Sequence, residues 1–328
     1  MNSLLLNRLN PKRTAWSALL VLLVLMLASC SDSEDAFDPK SPRLTGTIEI
    51  DGSSTVFPIT EAVAEDFHKV NSDVQVNVGV SGTGGGFKRF ITGETDISDA
   101  SRPIKDEEAA TAVENGIEYI EIKIALDGIS VVVNPNNKFI DCLTVTQLKD
   151  IWEPESKIER WSDLNPDWGD KKIRLYGPGT DSGTFDYFTE EIVGEAQRSR
   201  ADYTASEDDN VLVQGIAGDR NSLGYFGYAY YAENSRSLKL VDIDAGDGCV
   251  TPTETTIQDG TFKPLSRPLY IYVNTRSLQR PAVMAFLEYY LEHGAELSTE
   301  VGYISLPSAV YDESLTVVHQ ADDSPTDS

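Results

Sequence analysis

Histidine is nearly missing from this chain, which has three in 328 residues: His68, His293 and His319. They do not stand at metal-ligand spacing, and none is near the glycine-rich loops described below. Hydrolysis by a metal centre or a histidine base therefore finds no constellation here. Basic residues are also few, with 27 Lys and Arg against 53 Asp and Glu and a net charge of −26. Such an acidic surface argues against nucleic acid or anionic lipid as an electrostatic partner. Only one long apolar run is present, Ala15 to Ala28, broken by Ser17. It is short for a membrane span and fits the apolar core of a secretory signal.

Arg8, Lys12 and Arg13 precede that run, and it ends in Leu27-Ala28-Ser29-Cys30, which looks like the bacterial lipoprotein cleavage box. Residues 1–29 are read as a signal peptide and Cys30 as the lipidated first residue of an exported, membrane-anchored protein. The alternative is one uncleaved anchor helix. Residues 30–43 are acidic and poor in apolar side chains, as is the end of the chain, so 30–43 reads as a disordered tether and 316–328 as a disordered tail. With Cys30 taken by lipid, Cys142 and Cys249 remain, and in an exported chain such a pair most simply forms a disulfide.

Between the tails, strand and helix signals alternate, which implies an α/β fold. Three segments repeat one design of apolar strand, then a Gly, Ser and Thr loop, then a helix opening. They are Ile48 to Val56, Val76 to Gly86, and Ile173 to Thr184. Each would place unpaired N–H groups, the positive end of a helix dipole and small hydroxyls at one spot, suited to an oxyanion without a metal. Net negative charge does not forbid this, because the Debye length is about 8 Å at physiological salt while loop dipoles act at contact. Helices are predicted over Pro58 to Val70, Gly86 to Thr92, Ser182 to Val193 and Met284 to Leu291, and a half-buried strand over Asp73 to Val80. Ile129 to Val133 and Leu269 to Val273 read as strands that leave a lobe and re-enter it. This divides the chain into residues 44–126 plus 271–315 as lobe 1 and 127–270 as lobe 2, with a ligand cleft between them.

The motifs resemble the phosphate-binding component of bacterial phosphate ABC transporters, the PstS-like periplasmic binding proteins. The resemblance runs from about Thr45 to Tyr311. It is carried by Asp51-Gly52-Ser53-Ser54-Thr55-Val56-Phe57-Pro58, Ser81-Gly82-Thr83-Gly84-Gly85-Gly86-Phe87, Asp96-Ile97-Ser98-Asp99-Ala100-Ser101-Arg102-Pro103 and Gly179-Thr180-Asp181-Ser182-Gly183-Thr184-Phe185. Leu223 to Tyr230 and Gly302 to Pro307 add to it. The resemblance implies a two-lobed periplasmic-binding-protein fold of type II, with mixed, mostly parallel sheets flanked by helices and a hinge crossed twice. It also implies high-affinity binding of inorganic phosphate by a monomer that needs no cofactor and serves a membrane permease, not an enzyme.

Carried over by motif, Ser54 and Thr55 would offer hydroxyls, and Thr55 and Val56 their N–H groups. Ser81 or Thr83 would supply a hydroxyl, and Ser182, Gly183 and Thr184 a hydroxyl with consecutive N–H groups. Arg102 is the strong charge of these motifs, and its guanidinium fork can pair with two oxygens of a tetrahedral anion. The arginine that the family carries just before its Ser-Gly-Thr loop is replaced here by Pro178. Asp181, or less strongly Asp51 or Asp99, would accept a hydrogen bond from an oxyanion that keeps a proton, favouring hydrogen phosphate over sulfate. Sulfate, molybdate or a phosphonate as ligand, a phosphate-ester hydrolase, and a sensor that feeds no permease are the alternatives.

Overall fold

The computed structural model describes residues 43–322, apart from positions 181 and 207. The signal segment, Cys30, the tether, Asp181 and the chain beyond Asp322 lie outside the described residues.

The first half of the chain folds as β1 (Gly46–Gly52), α1 (Phe57–Val70), β2 (Val74–Val80), α2 (Thr83–Phe90), β3 (Ile97–Ala100), α3 (Asp106–Glu114), β4 (Tyr119–Val133), β5 (Cys142–Thr144), α4 (Val145–Trp152) and α5 (Trp161–Leu164). It continues as β6 (Arg174–Gly177), α6 (Gly183–Phe188), β7 (Thr204–Ala205), α7 (Asp209–Gly218), β8 (Ser222–Gly227), α8 (Tyr228–Asn234), β9 (Lys239–Leu240), β10 (Asp242–Asp244), β11 (Cys249–Val250) and α9 (Glu254–Gln258). The last elements are β12 (Ser266–Asn274), α10 (Thr275–Leu278), α11 (Pro281–Glu300) and α12 (Ser308–Asp322).

The main sheet runs in the order β2-β1-β3-β12-β4-β8-β6-β7, with β9 also on β4. Its flanks, β2-β1-β3 and β8-β6-β7, are parallel, as strand–helix–strand connections require. Its middle is antiparallel, which makes the sheet mixed as expected, because β4 and β12 carry the chain out of one half and back. β4 pairs with β12 as far as Gly128 and with β8 from Ile129 onward, so one continuous strand serves both halves.

Two large cores lie on either side of that crossing. In the first, Ile48 and Ile50 of β1 and Val63 and Phe67 of α1 pack with Phe286 and Tyr290 of α11. Pro58 sits in the first turn of α1, where its missing N–H costs nothing, and the spacing of Ile59, Val63 and Phe67 turns one face inward. Full burial of side chains of this size contributes about 1.5–3 kcal/mol each. In the second core, Trp152, Trp161, Phe188 and Tyr225 are buried together. Ile304 exchanges backbone hydrogen bonds with Leu126 at the crossing, and Leu306 packs against both cores.

Two expectations differ from the structure here. Helix α2 begins at Thr83, three residues ahead of the predicted start, and it packs so closely on β1 that a Cβ at Gly86 would come within 2.6 Å of Gly52 Cα. Residues 316–322, assigned to a tail on composition, continue α12, because Tyr311 and Val318 bury one face of it in the first core. Cys142 and Cys249 are bonded, 107 residues apart, and fasten β5 to β11 in a small sheet whose middle strand is β10.

Candidate functional site

Loop 1 turns sharply out of β1. Gly52 has φ +153°, and a Cβ there would collide with the Asp99 backbone, so the strand end and β3 meet only through glycine. Ser53 N–H donates to the Asp99 carbonyl (3.0 Å), and Ser53 then closes the turn on itself. Its Oγ accepts from Thr55 N–H (3.2 Å) and its carbonyl from Val56 N–H (3.2 Å) and Phe57 N–H (3.0 Å). The N–H groups of Thr55 and Val56 are thus bonded within the loop, and the Val56 side chain is core.

The side chains that leave this turn reach across to other elements. Ser54 Oγ donates to Asp186 Oδ2 of α6 (3.1 Å). Thr55 Oγ1 donates to the Gly183 carbonyl (3.3 Å) and accepts from Arg267 Nη2 (2.9 Å), while its carbonyl accepts from Tyr303 OH (2.7 Å). Gly183 approaches so closely that a Cβ would stand 2.6 Å from Thr55 Cα.

Loop 2 brings Thr83 to the same place. Thr83 Oγ1 shares a hydrogen bond with Ser101 Oγ (3.0 Å) and accepts from Ser101 N–H (3.2 Å). Ser81 is exposed, and its N–H is bonded to Asp51 Oδ1 (3.0 Å), whose other oxygen pairs with Arg89. Arg102 is held by Glu108 through two hydrogen bonds, 2.8 and 2.9 Å, and lies over Phe87, 5.2 Å from the ring centroid. Glu108 also accepts from Lys105 N–H (2.8 Å) at the start of α3, so the helix cap fixes the arginine.

Ser53, Ser54, Thr55, Thr83, Ser101 and Arg102 line one cleft of about 500 Å³, faced from the opposite side by Asp186, Glu190 and Glu191 and closed by Arg267. Ser182, Gly183 and Thr184 do not line it. They face a neighbouring cavity of about 230 Å³ with Ser54, Asp127 and Tyr303, and Ser182 Oγ caps α6 by accepting from Thr184 N–H (3.2 Å). Loop 1 and loop 3, the turn between β6 and α6, therefore meet at Thr55 and Gly183, while the acid side of the main cleft comes from further along α6 and the π-helical turn after it, Thr189–Val193. Burial, with Glu190 beside it, pushes the Glu191 carboxyl up. Burial also raises Asp127 against the opposing pull of Arg267.

Asp99 points away from the cleft. Its Oδ1 accepts from Thr60 Oγ1 (3.1 Å), which in turn meets Tyr290 OH (3.1 Å), and burial pushes its carboxyl up to about 7. Among the described residues no group of three or more His, Cys, Asp or Glu is placed to hold a metal ion. His68 belongs to a groove between α1 and β2, His293 packs at a tilt against Tyr289, and His319 bonds Glu288.

Lys105, Asp186, Glu190, Glu191 and Arg267 are charged cleft residues that motif reasoning overlooked. Asp186 stands one helical turn after Ser182, a spacing that could have placed it beside the loop. Arg267-Pro268 opens β12 much as Arg102-Pro103 follows β3, the one signal the sequence carried for it.

The PBP superfamily domain matches residues 39–293. The chain is 47% identical over 295 residues to Protein SphX of Synechocystis sp., covering 89% of this chain and 85% of that protein. It is 43% identical over 291 residues to the phosphate-binding protein PstS of Staphylococcus saprophyticus, covering 88% of each. It also superposes on the crystal structure of a possible phosphate binding protein from Planctomyces limnophilus with a TM-score of 0.82 and 48% identity, over 85% of this chain and 99% of that one. Among the described residues no helix is long and apolar enough to cross a membrane.

Proposed function

We propose, for a chain that belongs to the PBP superfamily and stands among its PstS-like phosphate-binding proteins, that it binds inorganic phosphate outside the cytoplasm and delivers it to an ABC-type permease. The observation that carries this reading is the cleft where hydroxyls of loops 1 and 2 meet guanidinium groups. Such a set of neutral donors with a small number of cations suits a small tetrahedral anion.

Ser54, Thr55 and Thr83 supply hydroxyls and Arg102 charge at the rim. Val56 and Ser81 serve the loops rather than the ligand. Ser182, Gly183 and Thr184, which lie against loop 1 in the adjoining cavity, are the donors that the second lobe offers the ligand. The two lobes are residues 44–126 plus 271–315 and residues 127–270, a division that the separate cores support except on the returning strand, where Leu269 already packs in the first core. Closure exchanges water around the anion for donors from both, so the ligand stabilises the closed form by its differential affinity.

Selection of phosphate over sulfate falls to an acceptor-only carboxylate in the cleft. Asp186, already taking a hydrogen bond from Ser54, fills the role that the motif assigns to Asp181. The protein acts as a receptor without catalysis, as a monomer, and is tethered through a lipid on Cys30. Replacing Cys30 with Ser and following the protein into the aqueous phase of a detergent partition tests the tether.

Calorimetric titration of the domain from residue 43 with phosphate, arsenate, sulfate and molybdate tests the reading. Phosphate is expected to bind tightly, with arsenate close behind and sulfate far weaker. Tight sulfate or molybdate binding with no heat from phosphate would overturn it in favour of another oxyanion receptor.

A further inference from the structure

The cleft has two arginines with different partners. Arg102 is closed off by Glu108, which takes both Nη groups, and Nη1 also reaches the Pro103 carbonyl (3.0 Å). Arg267 is deeper, its side chain 13% exposed, and its guanidinium lies over the Tyr187 ring, 3.5 Å from the centroid. Its Nη2 donates to a neutral hydroxyl, that of Thr55. Asp127 is its direct partner across β4 and β12, yet the nearest approach, Nε to Oδ2, is 3.6 Å. Among the described residues neither of those two buried atoms makes a hydrogen bond. A buried donor or acceptor left unmet is unfavourable, so the pair is held together by charge and left incomplete.

We propose that Arg267 is the residue that holds the charge of the bound anion, and that Asp127 is its resident counter-charge, keeping the guanidinium at the strand crossing until phosphate arrives. A phosphate oxygen is a stronger acceptor than the Thr55 hydroxyl and takes the guanidinium in its place. Arg267 lies on β12 at the crossing, touches loop 1 through Thr55 and packs on α6 through Tyr187. Occupancy is therefore felt by both lobes at once. The inference rests on the reading of the cleft as a phosphate site and adds the assignment of its charge partner.

The test is calorimetric titration with inorganic phosphate, with ligand-free melting recorded for each variant. Arg267→Gln is expected to raise the Kd roughly 10- to 100-fold, the range set by loss of a charge-assisted hydrogen bond, and to cost more than Arg102→Gln. Asp127→Asn, which removes the opposing charge, is expected to tighten phosphate several-fold. If Arg267→Gln fails to fold, the double variant Arg267→Gln/Asp127→Asn leaves no lone buried charge and is expected to show the same loss. A Kd within twofold of the parent in the arginine variant, or a larger loss in Arg102→Gln, overturns the assignment, and weaker binding in Asp127→Asn overturns the counter-charge. Absence of phosphate heat from the unaltered protein overturns the reading of the cleft, and this inference with it. Binding by the unaltered protein with no change in the variants overturns this inference alone.

Discussion

Thr55 is bonded to Gly183, Arg267 and Tyr303 at once, so a small β-branched residue in loop 1 is where three distant parts of the chain are tied together. Ser54 beside it has one acid partner, Asp186. Asp186→Asn keeps the shape and adds a donor, and is expected to narrow the preference for phosphate over sulfate by about tenfold or more while weakening phosphate binding less, read by competition calorimetry. Unchanged selectivity would remove Asp186 from that role. Asp99 supplies a second test. Its carboxyl loses the proton at about 7 when folded and near 3.8 when unfolded. Between those values the folded state holds the extra proton, so this group lowers stability as pH rises through the window. Asp99→Asn stays uncharged, and its melting temperature relative to the parent is expected to rise by several degrees from about pH 4 to about pH 7. A constant difference would mean that the buried carboxyl is already ionised.

Elements are set against each other by close backbone approach in this fold, which shape alone permits. Helix α2 can press on β1 only because Gly86 has no Cβ, and that contact carries Thr83 to the cleft wall. The disulfide works on a different element. It fastens the short strands β5 and β11, which have few backbone hydrogen bonds of their own, across a long stretch of chain. In the chain-entropy account a loop of that length is worth roughly 4–5 kcal/mol. The double variant Cys142→Ser/Cys249→Ser is expected to lower unfolding stability in urea by about that amount and to leave phosphate affinity nearly unchanged, because neither cysteine lines the cleft. A large loss of affinity would show that the small sheet supports the site.

Across the whole molecule, the crossing of β4 and β12 governs how the two lobes act together. A single strand shared by both cores resists sliding and permits bending, so closure is expected as rotation about residues 126–129 and 265–268. Gly183→Ala puts a methyl group against the Thr55 backbone, where neither side has a flexible atom to give way. The variant is expected to keep its fold, to lose most of the phosphate-induced decrease in radius of gyration in small-angle scattering, and to bind phosphate at least tenfold more weakly. Full compaction with parent affinity would separate that contact from closure.

The α/β class, the helices after loops 1 and 3, the strand of alternating valines and the cysteine pair were all legible in the sequence, because periodicity and spacing are local properties that packing did not override here. The chemistry of the loops was legible for the same reason, since Gly, Ser and Thr restrict what a strand-to-helix turn can do. Which hydroxyls share a cavity was not, because Thr83 and Ser81 differ only in how α2 rests on β1. The cleft's acid wall and Arg267 were also hidden, since they come from a helix turn and a returning strand more than 130 residues from loop 1. Spacing along the chain carries no information about such neighbours; the antiparallel return of β12 beside β4 brings Arg267 to Asp127 and Thr55, and so places positive charge in a chain dominated by acids.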